Sequence, residues 1–280
     1  VPKPQHLTYK TWRERPLWYP DPYSRLFSTV CLIQSRAMKQ YPYLLRILSF
    51  FLLVGLIPLS HAQDPSTGAT KHGNARFFEL HASFLKRAAS GPAGVVFLGD
   101  SITEGWTKVP DIWESAWGKY QPANFGIGGD RTQHVIWRIE QGEFDKMSPK
   151  VVVLMIGTNN TGNDSAKDIA VANRKIVAML QEALPETKIL LLAVFPRGPR
   201  NARGAEDPWE MKMKKIRAIN NELAKLDNGK DIRFLDLGPK FMSADGTIAK
   251  AIMPDQLHLS PAGYQIWVEG MAPLLDEMMR

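Results

Sequence analysis

A chain of 280 residues, 44% of them apolar, is long enough for one domain with a sizeable core, and its formal net charge of +7 invites a nucleic-acid or acidic-membrane partner. That surplus is local: from Gln63 onward, 27 Lys and Arg stand against 26 Asp and Glu, a net +1, with no basic run interleaved with aromatics. The single cysteine, Cys31, also precedes that point, which excludes a disulfide or a cysteine-held metal from the remainder.

Residues 1–37 are rich in Pro, Tyr, Trp and Arg and show no helical or strand period. They are expected to be a mis-assigned upstream extension or a disordered leader, with Met38 as the natural start. Met38-Lys39 and Arg46 precede an apolar run over 47–59, and Ser60-His61-Ala62-Gln63 follows it. This layout predicts a signal peptide over 38–62 cleaved after Ala62, hence a secreted or periplasmic protein with no stable membrane insertion after cleavage. An uncleaved anchor is the alternative, and no cysteine follows the run to carry a lipid. Residues 63–73 are polar and turn-rich and read as a linker, which leaves 74–280 as the folded domain.

Within that domain, Phe77, Phe78, Leu80, Phe84 and Leu85 recur at helical spacing, and residues 95–98 form the first strand. Ile112, Trp113 and Trp117 suggest a short helix, followed by a brief strand around 123–125 and a helix carrying Val135, Ile136 and Ile139. The unbroken apolar run 151–156 fits a central parallel strand covered on both faces. A long amphipathic helix over 169–184, a buried strand over 189–195, a helix over 211–226, a last strand over 232–236 and a terminal helix from Pro261 complete the pattern. Lys212, Lys214, Lys215 and Arg217 read as the solvated face of their helix. Alternating strands and helices predict a three-layer α/β/α sandwich on a five-stranded parallel sheet.

The turns after the strands should converge on one edge of such a sheet, where open α/β proteins bind ligands. Gly99-Asp100-Ser101 delivers a serine there. Ser101-Ile102-Thr103-Glu104 also spells a capping box, in which the serine oxygen satisfies a helix N–H; nucleophile and cap can hold together. The next turn, Gly126-Ile127-Gly128-Gly129-Asp130-Arg131, fails the dinucleotide fingerprint at its third glycine, yet Gly129 before a helix could aim its N–H at an oxyanion. Asn159, after Gly157-Thr158, offers a second donor or an Asx-turn. Of the histidines from Gln63 onward, His258 alone has a carboxylate, Asp255, three residues before it in a turn-like segment, so that Asp255 could hold the imidazole while its other nitrogen takes the Ser101 proton. His81 and His134 fall in helical patterns and read as packing or surface residues. With no His-Glu-x-x-His and no cysteine from Gln63 onward, no metal is expected.

Taken in order, Gly99-Asp100-Ser101, Gly128-Gly129-Asp130, Gly157-Thr158-Asn159-Asn160 and Asp255-Gln256-Leu257-His258 resemble the four blocks of the SGNH (GDSL-type) hydrolases. Residues 124–130 and 132–138, Pro196-Arg197-Gly198 and Asp245-Gly246-Thr247-Ile248 bring the likeness nearer to the catalytic alpha subunits of platelet-activating-factor acetylhydrolases. The resemblance implies a flavodoxin-like sheet and a two-step ester hydrolysis without cofactor. It makes Ser101 the nucleophile and His258 the base oriented by Asp255, with an oxyanion hole from the N–H groups of Ser101 and Gly129 and the side chain of Asn159. It also makes Ile102 and Leu257 the walls of a short acyl pocket, with acetyl as the implied group.

Those subunits are cytosolic and work with a partner, whereas an export signal is expected here. A secreted carbohydrate O-acetylesterase is therefore an alternative, with Trp106, Trp113, Trp209 and the loop 197–207 as a sugar-binding rim or, equally, as aromatic core and solvated loop. A non-catalytic glycan-binding module and a long-chain lipase are further readings. The expected partner is a small-molecule or glycan ester, not nucleic acid, and a homodimer is left open.

Overall fold

The computed structural model describes residues 64–200 and 208–280. The expected leader and signal peptide, Cys31, Gln63 and loop positions 201–207 lie outside the described residues.

Five strands, β1 (Val95–Gly99), β2 (Pro122–Gly126), β3 (Val151–Met155), β4 (Lys188–Leu192) and β5 (Ile232–Leu235), pair in parallel in the order β2-β1-β3-β4-β5. The register sets Val95 against both Pro122 and Val151, so the strands end level and their turns share one edge. Alternating side chains divide the core. Val96, Leu98, Val152, Leu154, Ile189 and Leu191 meet α1 (Ala75–Ala89), α4 (Thr132–Glu140), α5 (Ala166–Ala183) and α6 (Trp209–Leu223). Val95, Phe97, Val151, Val153, Leu190 and Leu192 meet α3 (Pro110–Trp117), α7 (Gly238–Phe241) and α8 (Pro261–Met278). Coverage on both faces explains why β1 and β3 read as unbroken apolar runs. The result is the three-layer α/β/α sandwich expected from the sequence.

The fourth strand was expected to run to 195 and ends at Leu192. Beyond it the chain stays buried because Asn220 of α6 satisfies both backbone groups of Val194, accepting from its N–H at 2.9 Å and donating to its C=O at 3.0 Å. Lys215, expected on a solvated face, instead donates to the carbonyls of Thr161 and Asp164, each at 2.9 Å. Residues 64–73, expected as a linker, lie against the domain. Thr132 Oγ1 donates to Pro65 O at 2.9 Å and Ala69 N–H to Gln133 O at 3.0 Å.

Arg138 of α4 is fully buried and donates to Glu143 Oε2 at 2.8 Å, Asp130 Oδ2 at 2.8 Å and the carbonyl of Phe125, at the end of β2, at 2.7 Å. Glu143 in turn bonds His81 Nδ1 of α1 at 2.9 Å. Removing one partner from such a cluster strands buried charge. Arg138→Met is expected to destabilise the fold by about 3–5 kcal/mol, read from the denaturant midpoint; a loss under about 1 kcal/mol would contradict a structural role for the cluster.

Candidate active site

The first turn of the site joins β1 to a one-turn helix, α2 (Ser101–Glu104). Asp100, not Ser101, caps this helix: its Oδ1 accepts the Ile102 N–H at 2.9 Å. The capping box expected of Ser101 and Glu104 therefore does not form. A carboxylate one residue earlier takes the cap, and the Ser101 hydroxyl is left to meet His258 Nε2 at 2.8 Å. Glu104 turns away to accept the Gly128 N–H at 2.7 Å and to pair with Arg76. Asp100 is fully buried with no cation bonded to it, so burial, aided by the nearby Asp130 charge, pushes its carboxyl up to about 7.

The second turn follows β2. Gly126 lets this strand touch α2 directly, since a Cβ there would lie 2.1 Å from the backbone nitrogen of Glu104. Gly129 has φ +73°, a left-handed conformation that favours glycine. A Cβ on Gly128 would sit 3.8 Å from Ser101 Cβ, which places this loop beside the serine. Lys71 grips the loop on both sides of Gly129, donating to Gly128 O at 2.7 Å and pairing with Asp130 Oδ1 at 2.6 Å. Asn159, in the turn after β3, donates to Asp130 O at 2.8 Å and lies 3.5 Å from Asp100 Oδ2. Its amide is thus tied to the Gly129 loop rather than to an Asx-turn of its own.

The third element is the loop before α8. Asp255 Oδ1 accepts the backbone N–H groups of Leu257 at 3.1 Å and His258 at 2.7 Å, while Oδ2 accepts His258 Nδ1 at 2.7 Å. Burial acts to raise the Asp255 carboxyl, but the hydrogen bonds from His258 and the charges of His258 and Arg200 outweigh it and hold the group below the ordinary carboxylate range. Ser101, His258 and Asp255 therefore form one chain of hydrogen bonds. Ile102 and Leu257 are both buried in the same apolar cluster under this edge of the sheet.

Other expectations change. Trp106 is 1% exposed and packs among Phe97, Trp113, Tyr264 and Trp267, so it is core rather than rim. Trp113 joins that cluster half-buried, and Trp209 packs on the opposite face of the sheet. His134 Nδ1 accepts the Arg131 N–H, and burial, with the charges of Lys71, Arg131 and Arg138, pushes its imidazole down to about 3. It is neutral and structural at ordinary pH. Among the described residues, no group of three or more His, Cys, Asp or Glu is placed to hold a metal ion. Lys71 and Arg200 were not singled out in the sequence; each acts through a partner distant in the chain.

An activated serine beside backbone donors at the edge of a parallel sheet can carry acyl transfer. Residues 97–266 match the GDSL-like lipase/acylhydrolase family. The chain is 36% identical over 205 residues to the human platelet-activating factor acetylhydrolase IB subunit alpha1, covering 72% of this chain and 84% of that protein. Among solved structures, a GDSL-like lipase from Bacteroides thetaiotaomicron superimposes with a TM-score of 0.55 at 19% identity, covering 72% of this chain and 96% of that one. A carbohydrate acetylesterase family member from Sinorhizobium meliloti does so with a TM-score of 0.52 at 15% identity, covering 67% and 99%. The chain belongs to the GDSL-like lipase/acylhydrolase family and is a carboxylic ester hydrolase.

Proposed function

We propose that the chain hydrolyses short-acyl esters, acetyl esters foremost, through a serine acyl-enzyme. The observation that carries this reading is the unbroken relay from Ser101 Oγ to His258 Nε2 at 2.8 Å and from His258 Nδ1 to Asp255 Oδ2 at 2.7 Å. His258 takes the Ser101 proton as Oγ adds to the ester carbonyl, and then gives it to the departing alkoxide. Water repeats the sequence on the acyl-enzyme and releases the acid. The backbone N–H groups of Ser101 and Gly129 and the Asn159 amide are the donors for the tetrahedral oxyanion. Asp100, being partly protonated near neutrality, keeps a full negative charge from standing behind those donors.

The kinship with acetylhydrolase subunits supports acetyl as the acyl group, with Ile102 and Leu257 closing the space for longer chains. The layout of residues 38–62 supports placing the activity outside the cytosol. For the alcohol portion, an acetyl-phospholipid is the first reading, because of the tryptophans considered for a sugar rim Trp106 is buried, and Trp113 and Trp209 are half-buried against opposite faces of the sheet.

On p-nitrophenyl acetate, Ser101→Ala and His258→Ala are expected to lose about 10⁴-fold or more in kcat while staying folded; retained turnover in both rejects the mechanism. Asn159→Ala should lower kcat by about 10²–10³-fold with a smaller change in KM. A panel of acetyl-phospholipid, acetylated monosaccharide, acetylated xylan and octanoyl esters reads the substrate, and faster turnover of octanoate than acetate contradicts the pocket assignment. Asp100 gives a stability test. Its folded-state value lies above the ordinary 3.8, so it favours folding at low pH and that contribution is lost as pH rises toward about 7. Asp100→Asn should therefore unfold at higher temperature than the parent at pH 8, by on the order of 3 kcal/mol, with the gain vanishing near pH 4. Equal gains at both pH values would show that the charge is not the cause.

A further inference from the structure

The segment that follows β4 passes beside the histidine loop. Gly198 N–H donates to Gln256 O at 2.9 Å, and a Cβ on Gly198 would collide with the Gln256 side chain, so the two segments run in close contact. Gln256 itself is anchored by its side-chain amide to Ile248 O at 3.1 Å and Met253 O at 3.2 Å. Two residues beyond Gly198, Arg200 places Nη2 2.7 Å from Asp255 Oδ2, the same oxygen that accepts His258 Nδ1. The triad carboxylate therefore carries four hydrogen bonds, two on each oxygen, and serves two cations whenever the imidazole is protonated.

We propose that Arg200 is a positioning residue of this site: by sharing Asp255 Oδ2 with His258, it fixes the carboxylate and sets how far into the acid range the triad works. This rests on the esterase reading above. A carboxylate already paired with a guanidinium gives less electrostatic support to an imidazolium beside it than an undivided one does. Arg200 thus biases the pair toward the neutral imidazole, the form that can accept the serine proton. The hydrogen bond to Nδ1 is kept, so ring orientation is not given up for this.

The pair is partly exposed, with side-chain accessibilities of 27% for Arg200 and 41% for Asp255, so the effect should be modest and sensitive to salt. Other charged groups around the triad are Arg197, buried in the same segment as Arg200, and Asp100 and Glu104 from the serine turn and its helix. Asp100 titrates in the neutral range. Each is common to parent and variant, so the difference between their profiles isolates Arg200.

The test compares the parent with Arg200→Gln, which keeps a donor but no charge, and Arg200→Lys, which keeps the charge. Two readouts are followed from pH 4 to 9: kcat/KM on p-nitrophenyl acetate and the NMR titration of the His258 ring C–H. Arg200→Gln should move the acid limb and the ring titration upward together by about half to one pH unit, with plateau kcat within about threefold of the parent. Arg200→Lys should stay close to the parent in both readouts. High salt should move the parent toward the Gln variant and leave the Gln variant nearly in place. Superimposable titrations in parent and Arg200→Gln, or an equal shift in the Gln and Lys variants, would overturn the proposal. The ring titration reports on Arg200 even in a protein that turns over no ester, so failure of the esterase reading and failure of this one are separately visible.

Discussion

A guanidinium cut off from water must have its N–H groups met by protein acceptors, and where Arg138 finds them decides the shape of the catalytic edge. Its acceptors are the Phe125 carbonyl near the end of β2, the carboxylate of Asp130 and the carboxylate of Glu143, which also holds His81 on α1. One side chain so joins a strand end, the loop carrying Gly129 and two helices. The remaining ties to that loop come from outside the cluster: Lys71 from the N-terminal segment, Glu104 from the serine helix and Asn159 from the β3 turn. A loop held from four directions has little entropy left to lose on binding, as the proposed oxyanion role would require. Electrostatic preorganisation of this kind is what an oxyanion site requires.

The carboxylates near the site differ in their partners, and that difference assigns their tasks. Asp130 and Glu143 have Arg138 between them and serve as structure. Asp255 has backbone N–H groups, an imidazole and a guanidinium, which keep it ionised and able to orient His258. Asp100 has a backbone N–H from Ile102 and a distant amide, and no cation bonded to it. Burial raises the carboxyls of both Asp100 and Asp130, but at Asp130 the charges of Arg138 and Lys71 oppose the shift, whereas Asp100 is pushed up to about 7. Three environments within one loop cluster thus separate a structural acid, an ionised acid and a nearly neutral one.

The sheet, its helices and the serine, glycine, asparagine and histidine positions were legible because each is announced by its neighbours in sequence: an apolar run, then a small or polar turn. The same local view misassigned the cap of α2. Two candidate oxygens stood side by side at Asp100 and Ser101, and only the folded geometry shows that the carboxylate takes the Ile102 N–H. Lys71 and Arg200 were not legible at all. Their partners lie 57 and 55 residues away, in loops with no periodicity to align them. The tryptophans stayed undecided for a related reason, since an aromatic after the serine turn serves a rim or a core equally well until Phe97, Tyr264 and Trp267 are seen to close around Trp106.

The bare contact at Gly126, where strand and serine helix meet backbone to backbone, also separates what can vary from what cannot. A Cβ at Gly126 would press on the backbone of Thr103 and Glu104, so any replacement there must push the helix aside. Ile102 and Leu257, by contrast, fill the apolar cluster beneath with their side chains, where a methylene more or less is a local matter. The two kinds of contact therefore differ in what a single substitution can change: at Gly126 the placement of a whole helix, at Ile102 and Leu257 the local packing of one side chain.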